Sequence, residues 1–98
     1  MAAIRWTAEA SRWMRTIRNH IAKDSPVAAD RTMDGIYAKV QFLGKFPRLG
    51  YRYEPVKDRE VRIVLYGHYR IAYVIRTNGA ISVLGVFHAS MQIEEYLK

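Results

Sequence analysis

The 98 residues suffice for one small domain, and since half are hydrophobic a modest core is within reach without cross-links. The absence of cysteine excludes disulfides and thiolate metal sites, no apolar run reaches the roughly 18 residues of a membrane span, and Met1-Ala2-Ala3-Ile4-Arg5-Trp6 lacks the basic-then-apolar layout of a signal peptide. The composition therefore describes a soluble, cytoplasmic protein with a net charge of +7.

Ile4-Arg5-Trp6 reads as a short extended piece with apolar residues two apart. Thr7 is placed to cap a helix, with Glu9 on the favourable side of its dipole. Ala10, Trp13, Met14, Ile17 and Ile21 then mark one helical face, while Arg12, Arg15, Arg18 and Asn19 fall elsewhere. Asp24-Ser25-Pro26 ends this helix and opens another, with Ser25 as cap and Pro26 at the first helical position. Ala29, Met33, Ile36, Val40 and Leu43 form the second apolar stripe, Gly35 interrupts it, and Gly44 is a natural stop. So short a link predicts an antiparallel helical hairpin.

Residues 45–58 hold two Pro, a Gly, two Tyr and two Arg within Phe46-Pro47-Arg48-Leu49-Gly50-Tyr51-Arg52-Tyr53-Glu54-Pro55, without a sustained period. They read as a long ordered loop of the kind that often carries function. Three strands follow. Residues 59–66 alternate with Val61, Ile63 and Leu65 on one side; Gly67-His68 suits a tight turn; residues 69–76 are rich in β-branched and aromatic types. Thr77-Asn78-Gly79 signals a hairpin into residues 81–87. Both faces of these strands are largely apolar, so both should be partly covered. Residues 90–98 suit a short terminal helix, with Met91, Ile93, Tyr96 and Leu97 offering contacts. The expected fold is one α+β domain over residues 1–98, in the order β-α-α-β-β-β(-α), with the helical hairpin packed on a mainly antiparallel sheet.

That order, carried by these residues, resembles the RelE/ParE toxin superfamily of type II toxin–antitoxin systems over essentially the whole chain. The marks are Pro26 and Ala29 at the start of the second helix, Phe46-Pro47-Arg48-Leu49-Gly50 after it, Tyr69-Arg70-Ile71-Ala72-Tyr73 on the penultimate strand and Val86-Phe87-His88 closing the last. The resemblance implies a growth-arresting toxin silenced by a labile cognate antitoxin. Two activities occur in the superfamily: RelE-like and YoeB-like members are ribosome-dependent endoribonucleases acting on mRNA, whereas ParE-like members poison DNA gyrase and are not ribonucleases. His88-Ala89-Ser90-Met91, running on to Tyr96-Leu97, is similar to the His-x-x-Met segment and terminal helix of the ParE-like branch. YoeB-like chains instead end in a Tyr just after the His, which is missing here.

Metal-free RNA cleavage needs a base near the 2′-OH, a cation on the phosphate and an acid for the 5′-oxygen. Glu54 as base, Arg70 as phosphate stabiliser and His88 as acid match that requirement, and Glu54-Pro55-Val56-Lys57 resembles the YoeB-like segment with the catalytic Glu. Each also has an ordinary role open to it: a solvated loop carboxylate, a structural arginine, a strand-end histidine. Strand parity bears on the choice. A two-residue loop at Asn78-Gly79 sets Arg70 opposite Phe87 and throws His88 to the other face. A three-residue loop, Thr77-Asn78-Gly79 with Gly79 left-handed, puts both side chains on one face unless a bulge intervenes.

Gyrase poisoning needs a surface rather than a reaction centre. Residues 45–76 carry eight Lys/Arg against three Asp/Glu, compared with seven against four in residues 1–44 and one against two in residues 77–98. Clustered positive charge points to a polyanionic partner. Arg48, Tyr51, Arg52 and Tyr53 on the long loop, with Arg59 and Arg62 on the next strand, are the expected target-binding set. Tyr51 and Tyr53 packed over the sheet, with the arginines merely solvated, is the plain structural reading of the same residues. Charge and aromatics also permit a non-catalytic nucleic-acid-binding module, although RNP-like, helix-turn-helix and zinc-finger signatures are missing. Three His without regular spacing give no metal site, and no cofactor is expected. The expected partners are a cognate antitoxin with an acidic C-terminal segment, forming a hetero-oligomer, and either gyrase or the ribosome with mRNA.

Overall fold

The computed structural model of the chain describes residues 1–97. A short strand β1 (Ile4–Trp6) leads into α1 (Ala8–Ala22) and α2 (Pro26–Leu43). After a loop come β2 (Tyr51–Arg52), β3 (Glu60–Tyr66), β4 (Tyr69–Ile75) and β5 (Ile81–His88). The five strands form one sheet in the order β1-β5-β4-β3-β2, antiparallel except for the β1–β5 pair at one edge. The expected α+β architecture holds, with two refinements. The segment read wholly as loop contributes β2, which pairs Tyr51 with Ile63 and Arg52 with Arg62. The expected terminal helix is only a 3-10 turn at Ile93–Glu95, because the tail has to curl over the sheet instead of running straight; Lys98 lies outside the described residues.

Local chemistry sets the helix ends as expected. Thr7 Oγ1 accepts from Ala10 N–H at 3.0 Å and donates to Val83 O at 2.9 Å, so one residue caps α1 and pins it to β5. Ser25 caps α2 by accepting from Ala28 N–H at 3.1 Å, ahead of Pro26. All five residues of the second apolar stripe are buried, as are Ala10, Met14 and Ile17 of the first. Gly35, the interruption in that stripe, is where the Tyr66 ring lies against α2: a Cβ there would fall on the phenol oxygen.

The sheet is covered on both faces. The helical hairpin packs on one, where Met14, Ile36, Val40 and Leu43 meet Val64, Ile71, Tyr73, Ile81, Val83 and Val86. On the other, Val61, Ile63, Ala72, Val74 and Phe87 are roofed by Tyr53 and Val56 from the loop and by Ile93 and Leu97 from the tail. Two small cores sharing one sheet thus replace a single large one, which is how a chain this short buries its apolar residues. Among the described residues no helix is long and apolar enough to cross a membrane.

The β4–β5 hairpin combines both registers considered from the sequence. Next to the turn, Ile75 pairs with Ile81, Val74 with Ser82 and Tyr73 with Val83, the three-residue register, with Gly79 left-handed at φ 87°. A bulge then intervenes between Ala72 and Tyr73. Beyond it Ala72 pairs with Gly85, Ile71 with Val86, Arg70 with Phe87 and Tyr69 with His88. Leu84 is the extra residue, and it shifts everything outward of it by one step.

Candidate functional site

The bulge decides where Arg70 and His88 point. Arg70 shares the face of its partner Phe87, under the tail. His88 emerges with Tyr69 on the helix side, in a cleft of about 400 Å³ lined also by Trp13, Ile17, His20, Val86 and Met91. Tyr69 meets the His88 ring edge-on at 5.6 Å between centroids, and His68 lies at 6.3 Å. His88 Nδ1 accepts from Ser90 N–H at 3.1 Å, which assigns the proton of the neutral ring to Nε2.

Arg70 is a tail anchor. Its Nη2 donates to Met91 O at 2.6 Å, and Met91 N–H closes a turn on His88 O at 3.0 Å. The His-x-x-Met segment is therefore a reversal that brings the tail back across the sheet, clamped by Arg70. Arg70 Nε is buried and has no hydrogen-bond partner among the described residues. Close by, burial pushes the Tyr53 phenol up from its ordinary value; the Glu94 carboxylate adds to the rise and Arg70 opposes it. Glu54 is on the surface, paired with Lys57 at 3.2 Å. The three residues expected for RNA cleavage are thus not brought together: Arg70 and His88 lie on opposite faces, and no hydrogen bond or ion pair links any two of the three among the described residues.

The expected target-binding residues separate into internal and external groups. Arg62 is internal, its side chain 17% exposed, donating to Glu60 Oε2 at 2.8 Å and Gly50 O at 2.6 Å. It staples the loop to the sheet. Tyr53 is buried in the second core. Tyr73 completes the staple by donating to Pro47 O at 2.6 Å and accepting from Gly50 N–H at 3.0 Å. Tyr51 and Arg52 are exposed on the edge strand β2. Arg48 is exposed and shares Glu60 with Arg62, at 3.2 Å. The hydrogen bond from Arg62 holds the Glu60 carboxyl below its ordinary value, with Arg48 helping and burial opposing.

Arg48 and Arg59 line a cleft of about 540 Å³ with Pro47, Asp58, Glu60, Val74, Ile75, Thr77 and Arg76. Arg76 is absent from the expected set. Its signal in the sequence was its position, the last residue before the Thr77-Asn78-Gly79 turn, where a long cation reaches past the sheet end. No group of His, Asp or Glu that could hold a metal occurs among the described residues.

On the outer side of the hairpin, Met14 and Met33 floor a groove between α1 and α2, rimmed by Arg15, Arg18, Asp30, Asp34 and Tyr37. Arg18 and Asp30 bridge it at 2.8 Å. Tyr37, 47% exposed, packs on Trp6 at 4.9 Å between ring centroids.

No curated protein matches the sequence. Among solved structures, the fold is similar to a chain of the chromosomal ParDE toxin–antitoxin system from P. aeruginosa, with a TM-score of 0.72 and 17% identity over 90% of this chain and 96% of that one. It is also similar to a chain of the RelBE2 toxin–antitoxin complex from Mycobacterium tuberculosis, with a TM-score of 0.63 and 18% identity over 89% and 96%. At such identities these structures speak for the fold. The family model of the ParE toxin of the type II toxin–antitoxin system parDE matches residues 4–93, nearly the whole chain, and so this protein belongs to the ParE toxin family.

Proposed function

We propose that the chain arrests growth by binding DNA gyrase and is held silent by a cognate antitoxin. The observation that carries this reading is the path of the chain beyond the Leu84 bulge, which sends Arg70 under the tail and His88 to the opposite face. Among the described residues no hydrogen bond or ion pair joins the base, cation and acid expected for RNA cleavage, whereas three arginines line one cleft at the end of the sheet. Binding inhibition asks only for such a surface. Family membership supports the toxin half of the proposal.

The groove over Met14 and Met33 supports the antitoxin half. Its apolar floor, and a rim that carries two arginines and two aspartates, suit an amphipathic segment with charges of both signs, laid in as a helix or an extended chain. The toxin of the P. aeruginosa system likewise belongs to a toxin–antitoxin pair.

A second reading, a ribosome-dependent mRNA endoribonuclease using Glu54, Arg70 and His88, draws on one observation. Arg70 Nε is a donor without a partner among the described residues. Because that atom is buried, the tail must first lift before a phosphate can reach it. Growth arrest by variants separates the two. On the gyrase reading Glu54→Ala and His88→Ala remain toxic, while Arg48→Ala combined with Arg52→Ala loses toxicity. Loss of toxicity in Glu54→Ala and His88→Ala, with the arginine double variant still toxic, contradicts it.

A further inference from the structure

The cleft between the Pro47 loop and the β4–β5 turn is the arginine-lined surface invoked for the proposed function. We propose that it receives a backbone phosphate of duplex DNA, so that the toxin grips the DNA held by its target; this rests on the gyrase reading and names what the cationic surface touches. Three arginines line the cleft: Arg48 from the loop, Arg59 before β3 and Arg76 after β4.

Two of them are arranged for such a ligand. Glu60, one of two carboxylates lining the cleft, is already satisfied by Arg62 at 2.8 Å, so the exposed Arg48 can turn to a phosphate without stranding Glu60. Arg76 lines the cleft and is fixed along one edge, its Nε donating to Ser82 Oγ at 3.0 Å, a bond that does not use its two terminal nitrogens. Guanidinium pairs held this way match the geometry of a phosphodiester.

The occupant's chemistry follows from what the cleft lacks. The exposed large apolar side chains, Val27, Tyr37, Phe42, Phe46, Leu49 and Leu65, lie outside its lining. A protein partner has those surfaces to bury; the cleft sets three arginines against Asp58 and Glu60, with Arg48 paired to Glu60 at 3.2 Å and Arg59 to Asp58 at 3.8 Å, and the positive charge left over is what a phosphate would meet.

The test is anisotropy of a short labelled DNA duplex titrated with the full chain at several salt concentrations, with gyrase supercoiling inhibition measured in parallel. Affinity should fall linearly with salt on logarithmic axes, and Arg48→Gln and Arg76→Gln should each lower that slope, the two together by about one unit. Arg31→Gln, an exposed arginine on α2, should leave it unchanged, and circular dichroism confirms that each variant folds. Absence of duplex binding, slopes unaffected by both cleft substitutions in folded protein, or preference for single-stranded RNA of equal length would each overturn the proposal. If the cleft fails these criteria while gyrase is still inhibited, the gyrase reading survives alone; if the cleft binds DNA as described and gyrase is untouched, the phosphate site stands and the gyrase reading falls.

Discussion

Arg70 and His88 are one step apart across β4 and β5, yet they leave the sheet on opposite faces, because Leu84 inserts an extra residue between them and the turn. Their substitutions should therefore behave differently. Arg70→Ala removes a charged hydrogen bond to Met91 O and should cost about 1.5–3 kcal/mol, with loss of amide protection over residues 88–97. His88→Ala removes an exposed turn contact to Ser90 and an edge-on ring contact with Tyr69, and should cost less than about 1 kcal/mol. Urea denaturation and hydrogen exchange measure both. Equal destabilisation by the two would contradict the clamp.

The Pro47–Tyr51 loop is held from below by the Tyr73 phenol together with Arg62. Tyr73→Phe leaves Gly50 N–H and Pro47 O without their partner and should destabilise the chain by about 1–3 kcal/mol, measured by denaturant midpoint. Burial also raises the Tyr73 phenol above its ordinary value. The folded state thus keeps a proton that the unfolded chain gives up in alkali, and stability should fall as pH rises past the ordinary tyrosine range. In Tyr73→Phe that alkaline decline should be shallower.

Glu60 gives the opposite dependence. Its carboxyl is held low by Arg62 first and Arg48 second, so its contribution is present above the ordinary carboxylate value and is lost as pH falls through the lowered one. Glu60→Gln should flatten the acid limb of the stability curve. It should also loosen Arg48, which a salt titration of DNA binding registers as a higher, not lower, affinity.

Most of the architecture was legible in the sequence because it rests on local rules. Thr7 and Ser25 mark helix starts by their own hydrogen-bonding chemistry and Pro26 by its fixed φ, and the two apolar stripes at helical spacing contain the buried residues of α1 and α2. The site was less legible, since it depends on long-range register. Gly85, an isolated glycine within a strand, is the one local hint of a bulge, but it says nothing of the register on either side, and without the bulge Arg70 and His88 would share a face. Arg62 illustrates the same limit: by composition it is one more basic residue near a basic loop, and only the approach of Gly50 O makes it a staple. The short β2 was hidden because a two-residue strand carries no period.

Tyr37 is the most exposed aromatic on the rim of the α1–α2 groove. Large half-exposed aromatics dominate interface energetics, so Tyr37→Ala should weaken antitoxin binding by more than about 1 kcal/mol, seen by calorimetry. Growth arrest by the uncomplexed variant should be unchanged. A variant that binds antitoxin as tightly as the parent would place the antitoxin elsewhere.

On the proposed function this protein acts on gyrase through a binding surface. Purified chain added to gyrase, ATP and relaxed plasmid reads it most directly: supercoiling should be blocked or cleaved DNA complexes should accumulate, in Glu54→Ala and His88→Ala as in the parent. Unimpaired supercoiling, with mRNA instead cut on translating ribosomes and that cutting abolished by the same two substitutions, would contradict it.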